Sequence, residues 1–405
     1  MSWGRWARRP GALLVAWGLS RVLLVLIATD SVPYPDADLL INDVRLYAEW
    51  SELLASGQFP VGDETWQYPP LAGVVFVLAR YAATDPVTGF LVLAALADLA
   101  VLLLLLARGR RVDRPQAAWA WVLGGVLVGP VTLGRFDVFP TLAAVVALLW
   151  IGRPVRAGAA VGVGVLLKVW PGLLLLAAPR RVLGPAAAVA AVTVAAGWAV
   201  LALWADGTGA FLAEQGDRGL QVESVGALPY LVAGAFGPVV IAQEFRYGAQ
   251  EIAMAGAEAV GLTLTLLGLL MYAVVLVQRL RGRLERVPPA DVALAVVLVS
   301  IVTSRVISPQ YGVWVAGIAA VCLLDPATRM RRALWLLAGS ALLGQVIYPF
   351  AYGSMQDGTP PAVAVQVVRL GLLLAGTVLA VTAVLRPERS DDPVPALVSP
   401  PDRSR

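Results

Sequence analysis

Between residues 30 and 70 the chain carries side chains able to do chemistry on a hydroxyl group. Asp43 is followed by Tyr47 and Trp50 at helical spacing, and Trp66 and Tyr68 close the stretch. A carboxylate with rings at i+4 and i+7 lies on one helix face. That set suits a general base beside aromatic surfaces that hold a sugar. A plainer reading makes Asp43 a first-turn acid favoured by the helix dipole, and spacing alone leaves both open. The pattern predicts a short amphipathic helix with Asn42 as N-cap and Gly57 as its stop, and with Arg45 and Glu49 paired on another face. Asp36-Ala-Asp38 has the spacing of a metal-binding acidic pair, but two acids in a loop are common and no metal or other cofactor is assigned.

Two cations stand out further along. Lys168, the one lysine of the chain, interrupts a run from Ala157 to Ala178 that is otherwise apolar apart from glycines. A charge at membrane depth is costly, so it marks function by default, and a phosphate is its natural partner. Snorkelling of the ammonium to the headgroups is the competing reading. Arg305 closes an apolar run just before the kinking Ser308-Pro309-Gln310-Tyr311, and it is assigned to the same phosphate. Trp66 and Tyr68, ahead of the paired Pro69 and Pro70, also fit an aromatic belt at the membrane surface.

The scaffold that must position these groups is a membrane one. Hydrophobic residues make up 59% of the 405 and charged residues 14%, which excludes a water-soluble fold. There is no histidine, hence no imidazole base or histidine-ligated metal. The single cysteine, Cys322, rules out a disulfide within the chain. The modest positive charge resolves into short clusters between apolar runs and does not imply nucleic acid. The first apolar run, Gly11–Thr29, follows Arg5, Arg8 and Arg9 without a small-residue cleavage site, so it reads as a retained helix.

Arginine clusters at Arg5–Arg9, Arg108–Arg114, Arg153/Arg156, Arg180/Arg181, Arg279–Arg286, Arg329–Arg332 and from Arg386 onward belong on the cytoplasmic side. Satisfying all of them predicts an all-α polytopic membrane protein with about twelve crossings. Two of these, 157–168 and 170–179, are half-length helices meeting at Lys168-Val-Trp-Pro171, a break tolerated only beside a cavity. Residues 1–385 form the transmembrane domain, with 30–86 as an outer loop carrying juxtamembrane helices. Segments 69–84 and 226–242 lie along the outer surface, and 386–405 is a disordered cytoplasmic tail. This topology gathers Asp43, Arg135, Asp137, Lys168, Glu214 to Glu223, Arg305, Gln310 and Tyr311 near one membrane surface. Within the first two spans, Arg21 and Asp98 fall at similar depth, which predicts a buried ion pair that survives reversal of both charges.

Taken in order, several segments resemble a known family. They are Asp43-Val-Arg-Leu-Tyr47, Leu54-Ala-Ser-Gly57-Gln-Phe-Pro60, Gln67-Tyr-Pro-Pro-Leu71, Arg135-Phe-Asp137, Leu167-Lys-Val-Trp-Pro171, Arg218-Gly-Leu-Gln-Val-Glu223 and Ser308-Pro-Gln-Tyr311. Over roughly residues 10–385 the chain resembles GT-C membrane glycosyltransferases, in particular the family 87 mannosyltransferases of actinobacterial type that use polyprenyl-phosphate mannose. The resemblance implies a GT-C bundle in the bacterial plasma membrane, an extracytoplasmic active site and a polyprenyl-phosphate sugar donor. The acceptor is an envelope glycan or glycolipid. It maps the catalytic acid of the first outer loop onto Asp43. Lys168 and Arg305 then bind the donor phosphate, and Tyr47, Trp50, Tyr68, Arg135, Asp137, Glu223, Gln310 and Tyr311 contact substrate. The family often carries a second acid just before Tyr-Pro-Pro, where this chain has Gln67. The rival readings are a transporter or lipid flippase, which also uses broken helices and intramembrane charges, and a noncatalytic subunit that binds envelope polymers.

Overall fold

The computed structural model describes residues 9–214 and 218–386. Arg5, Arg8 and the tail from 387 onward lie outside the described residues, as does the side chain of Glu214. The helices run α1 (Pro10–Ala28), α2 (Ala37–Ala55), α3 (Pro70–Ala82), α4 (Pro86–Arg111), α5 (Gln116–Val128), α6 (Val138–Leu149), α7 (Pro154–Leu167), α8 (Arg180–Trp204), α9 (Ala210–Glu214) and α10 (Leu228–Phe236). After a hairpin of antiparallel strands β1 (Gln243–Arg246) and β2 (Ala249–Ile252) come α11 (Ala257–Leu280), α12 (Pro289–Val302), α13 (Tyr311–Cys322), α14 (Arg331–Gln345), α15 (Tyr352–Gln356) and α16 (Pro360–Leu385). The all-α expectation holds apart from that hairpin.

Six helices of the described residues are long and apolar enough to cross a membrane: α1, α4, α8, α11, α16 and the continuous stretch Arg331–Gln356. Between them sit α5, α6, α7, α12 and α13, each only 12–14 residues long. At 1.5 Å per residue they rise about 18–21 Å, short of the roughly 30 Å hydrocarbon core. The expected spans 117–134 and 136–151 are therefore two short helices joined by a buried turn at 129–137, and 290–306 and 309–324 repeat that pattern around 303–310. The expected half-helix at 170–179 is a 3-10 helix over Trp170–Ala177, reached through an extended Lys168 (φ −161, ψ 139). Proline at 171 explains the break, since it has no N–H to continue the α7 ladder.

Non-helical backbone at that depth must find partners within the protein. Gln221 supplies two, donating its N–H to Arg305 O at 3.0 Å and accepting from Ile307 N–H through Oε1 at 2.9 Å. The hydroxyl of Thr132 donates to Gly125 O at 3.0 Å. The arginine-rich loops meet on the opposite side. Arg279 donates to Leu176 O, Ala177 O and Leu284 O, and Glu285 accepts from Arg180 N–H. That places the cluster at the start of α8 with the one after α11, as the charge pattern requires.

The predicted pair inside the first two spans is present. Arg21 forks onto Asp98 with both contacts at 3.1 Å and also donates to Val122 O and Trp121 O, while Trp17 Nε1 donates to the same carboxylate. Every partner is supplied, as a charge buried in apolar surroundings demands. A Cβ at Gly125 would lie 2.4 Å from the guanidinium, so glycine there makes room for it.

Candidate active site

The helix that carries Asp43 starts earlier than the sequence suggests. It begins at Ala37 after Asp36 in the left-handed region (φ 50), leaving Asn42 in its second turn rather than at its cap. Arg45 pairs with Asp38 at 2.8 Å, not with Glu49, and both partners are exposed. Tyr47, Trp50 and Leu54 on the buried face turn the helix onto α3 and α4.

Asp43 is held by Arg135. Its Oδ2 lies 3.0 Å from Arg135 Nε, and the carboxylate is 31% exposed while the guanidinium side chain is 5% exposed. Arg135 also fastens the helix itself. Its Nη1 donates to Leu40 O at 2.7 Å, and its Nη2 donates to Leu39 O, Asn42 Oδ1 and Tyr348 Oη at 2.8–2.9 Å. The turn bearing Arg135 can come this close because residue 134 is glycine; a Cβ there would meet Leu40 O at 2.5 Å. Burial works against the Arg135 charge, but Asp43 and the phenols of Tyr348, Tyr47 and Tyr68 outweigh it and raise its pKa above the usual arginine value. The result is a permanently charged clamp on a carboxylate side chain that stays part-exposed.

An aromatic wall lies behind this pair. Tyr47 stacks on Phe76 at 4.4 Å, Tyr68 meets Phe136 edge-on at 5.4 Å, and Trp50 meets Trp66 edge-on at 5.0 Å. The hydroxyls of Tyr47 and Tyr68 are hydrogen-bonded at 2.7 Å, and Trp50 Nε1 donates to Asp63 Oδ2 at 2.8 Å. Burial raises both phenol pKa values, with Asp43 adding to the effect. Both therefore stay neutral, and one hydroxyl donates to the other.

Beyond Tyr68 comes Lys168. Its ammonium lies 5.8 Å from the Tyr68 ring centroid, 5.6 Å from Tyr311 and 5.2 Å from Trp314. It is not the free cation the sequence suggests, because Asp137 Oδ1 accepts from Nζ at 2.7 Å and from Trp314 Nε1 at 2.6 Å. Tyr311 stacks on Trp314 at 4.0 Å, and Trp170 stacks on its other side at 4.9 Å. The three broken helix pairs thus deliver Arg135 and Asp137, Lys168, and Tyr311 into one neighbourhood.

Tyr311 also borders a cavity of about 460 Å³ between α11 and α12, together with Arg218, Arg305, Ser304, Thr303, Ser300 and Thr265. Arg305 Nη1 donates to Arg218 O at 2.9 Å, which brings the two residues together on its wall. Among the described residues neither guanidinium has a carboxylate within ion-pair distance, and Arg218 Nε is buried without a hydrogen-bond partner. Burial lowers the Arg218 pKa, opposed by the nearby Tyr311, Glu251 and Tyr68. Arg218 Nη2 donates to Tyr247 O at 3.2 Å, and the two arginines beside a set of hydroxyls are a candidate anion site. A separate groove of about 650 Å³, lined by Val161, Val165, Leu175, Ala191, Val194 and Trp198 among others, runs between α7 and α8 and carries no charged side chain.

The other predicted site residues fall into two groups. Gln310 precedes α13 beside Tyr311 and is half-buried. Tyr47, Trp50 and Glu223, expected to contact substrate, are buried among protein side chains. Tyr47 is 2% and Trp50 5% exposed, because the turn of α2 that aims Asp43 outward drives these rings into α3. Glu223 is 1% exposed and accepts from Arg369 of α16 at 2.7 Å, with Gln366 bonded to both. Sequence reasoning assigned no role to Trp314, Tyr348 or Arg369, whose partners lie over 140 residues away. Arg218 sits in a segment already singled out, but Glu214, Gln215, Asp217, Gln221 and Glu223 surround it in sequence, so nothing there set it apart.

A comparison with curated proteins finds no match. Among solved structures, the fold is similar to ArnT from Cupriavidus metallidurans bound to undecaprenyl phosphate, with a TM-score of 0.45, 17% identity, and 93% of this chain and 78% of that chain covered. The apo structure of the same protein gives 0.42, 18%, 92% and 78%. The family model of Glycosyltransferase family 87 matches residues 66–309, well over half of the sequence. That segment contains Tyr68, Arg135, Asp137, Lys168, Arg218 and Arg305. With its multi-pass helical architecture, the chain therefore belongs to glycosyltransferase family 87 and is a membrane glycosyltransferase.

Proposed function

We propose that the enzyme transfers a hexose, mannose in the first instance, from a polyprenyl-phosphate donor to an envelope glycan or glycolipid on the extracytoplasmic side of the bacterial plasma membrane. The observation that carries this reading is the spatial order of charges: a half-exposed carboxylate clamped at Asp43, a wall of neutral phenols, then Lys168 and the Arg218–Arg305 cavity. The matched family segment starts at residue 66, so the role of Asp43 rests on its geometry.

The chemistry follows from that order. Asp43 takes the proton of the acceptor hydroxyl as its oxygen bonds to the anomeric carbon. The bond from that carbon to the phosphate oxygen breaks, and its electron pair leaves with the lipid phosphate. Lys168, Arg218 and Arg305 stabilise the charge that develops there. Attack from the side opposite the phosphate inverts the anomeric configuration. The short central helices support this reading, since helices of about 18–21 Å leave room within a bilayer of roughly 30 Å for a site that a phosphate on a membrane-embedded chain can reach. The test is incubation of membranes containing the enzyme with radiolabelled polyprenyl-phosphate mannose. Acceptor-dependent loss of label from the lipid is the expected result. Loss with the glucose or arabinose donor instead reassigns the sugar, and loss with none of them overturns the reading.

A further inference from the structure

The Lys168–Asp137 contact is more particular than a neutralised charge. Asp137 is 1% exposed, and Oδ1 alone serves both Lys168 and Trp314, while Oδ2 is buried and receives no donor. The carboxylate stands at the N-terminus of α6, a 12-residue helix whose dipole favours a negative charge there. Its position is set on one side by the Trp314 indole, which is itself sandwiched between Trp170 and Tyr311. Lys168 enters from an extended residue at the break after α7, so its backbone is not part of a helix that could orient it. An ammonium has three N–H donors on a freely rotating stem. Anchoring one of them to a fixed carboxylate oxygen dictates where the other two point, and the rings around Nζ here are Tyr68, Tyr311 and Trp314.

We propose that Asp137 is a positioning residue: its Oδ1, fixed by Trp314, holds Lys168 so that the two remaining N–H groups face the leaving phosphate. This rests on the reading of Lys168 as a phosphate ligand. Asp137 itself stays buried and does not touch substrate.

Because Lys168 is the only lysine, amine acylation at this position can be followed by peptide mass spectrometry without interference from other lysines. The purified full-length enzyme is treated with an N-hydroxysuccinimide ester as wild type, Asp137→Ala, the near-isosteric Asp137→Leu, and Asp137→Asn. Each is assayed in parallel for kcat and donor KM with polyprenyl-phosphate mannose. Loss of the anchor in Asp137→Ala or Asp137→Leu raises Lys168 labelling at least fivefold and lowers kcat/KM about 100-fold. Asp137→Asn keeps an oxygen acceptor, so labelling stays within twofold of wild type and the loss of kcat/KM is under tenfold. Unchanged labelling in whichever apolar variant folds overturns the proposal and leaves the phosphate assignment standing. Wild-type kcat/KM in Lys168→Ala overturns the phosphate assignment and the proposal with it.

Discussion

Arg135 grips Asp43 through Nε at 3.0 Å while its terminal nitrogens hold the carbonyls of Leu39 and Leu40 in the same helix. One side chain thus fixes the carboxylate and the backbone that carries it, from a turn over ninety residues away in sequence.

Arg135→Ala should lower kcat about 100-fold, since a displacement near 1 Å at a reacting group has that effect. Donor KM should change less than threefold. Arg135→Lys should recover little, because an ammonium cannot span the six acceptors that the planar guanidinium reaches. Steady-state kinetics on the two variants checks both statements.

The Arg218–Arg305 cavity makes a different prediction. Hydrogen bonds to charged groups contribute about 1.5–3 kcal/mol, so either alanine substitution should cost roughly 10–100-fold in kcat/KM for the donor. If both hold one donor phosphate, as proposed, the double variant should lose less than the product of the two. A fully multiplicative loss in the double-mutant cycle contradicts a shared ligand.

The Arg21–Asp98 pair tests stability apart from catalysis. Removing one partner leaves a buried charge alone and should cost about 3–5 kcal/mol. The carbonyls of Val122 and Trp121 also accept from Arg21, and Trp17 donates to Asp98. Reversing both charges points a carboxylate at those carbonyls, so the swap predicted from sequence should not restore folding. Replacing both residues by leucine should be milder than either single change, as read by thermal unfolding in detergent.

Glu223 belongs to the same class. Glu223→Ala strands Arg369 and should lower thermal stability by a comparable amount, with donor KM unchanged in the protein that folds. A raised KM at wild-type stability would return Glu223 to the substrate site.

What was legible in the sequence was whatever one segment decides by itself. The arginine clusters at the start of α8 and after α11 do lie together, and the apolar pattern gave the breaks at 168 and 303–310, because backbone polarity and proline act locally. Asp43 and Lys168 stood out because charge is rare in this composition. Partners were not legible. That Asp137 neutralises Lys168, and that Glu223 faces Arg369 rather than a ligand, depends on how helices far apart in sequence pack. The start of α2 was missed because Asp36 takes a left-handed cap geometry that no side-chain capping bond announces.

The central claim is that Asp43 removes the acceptor proton. The direct measurement is single-turnover transfer from radiolabelled polyprenyl-phosphate mannose by Asp43→Asn, with donor binding measured on the same preparation. Transfer reduced at least 1000-fold with the donor dissociation constant within threefold of wild type is the predicted result. Transfer within tenfold of wild type by a folded Asp43→Asn enzyme contradicts it.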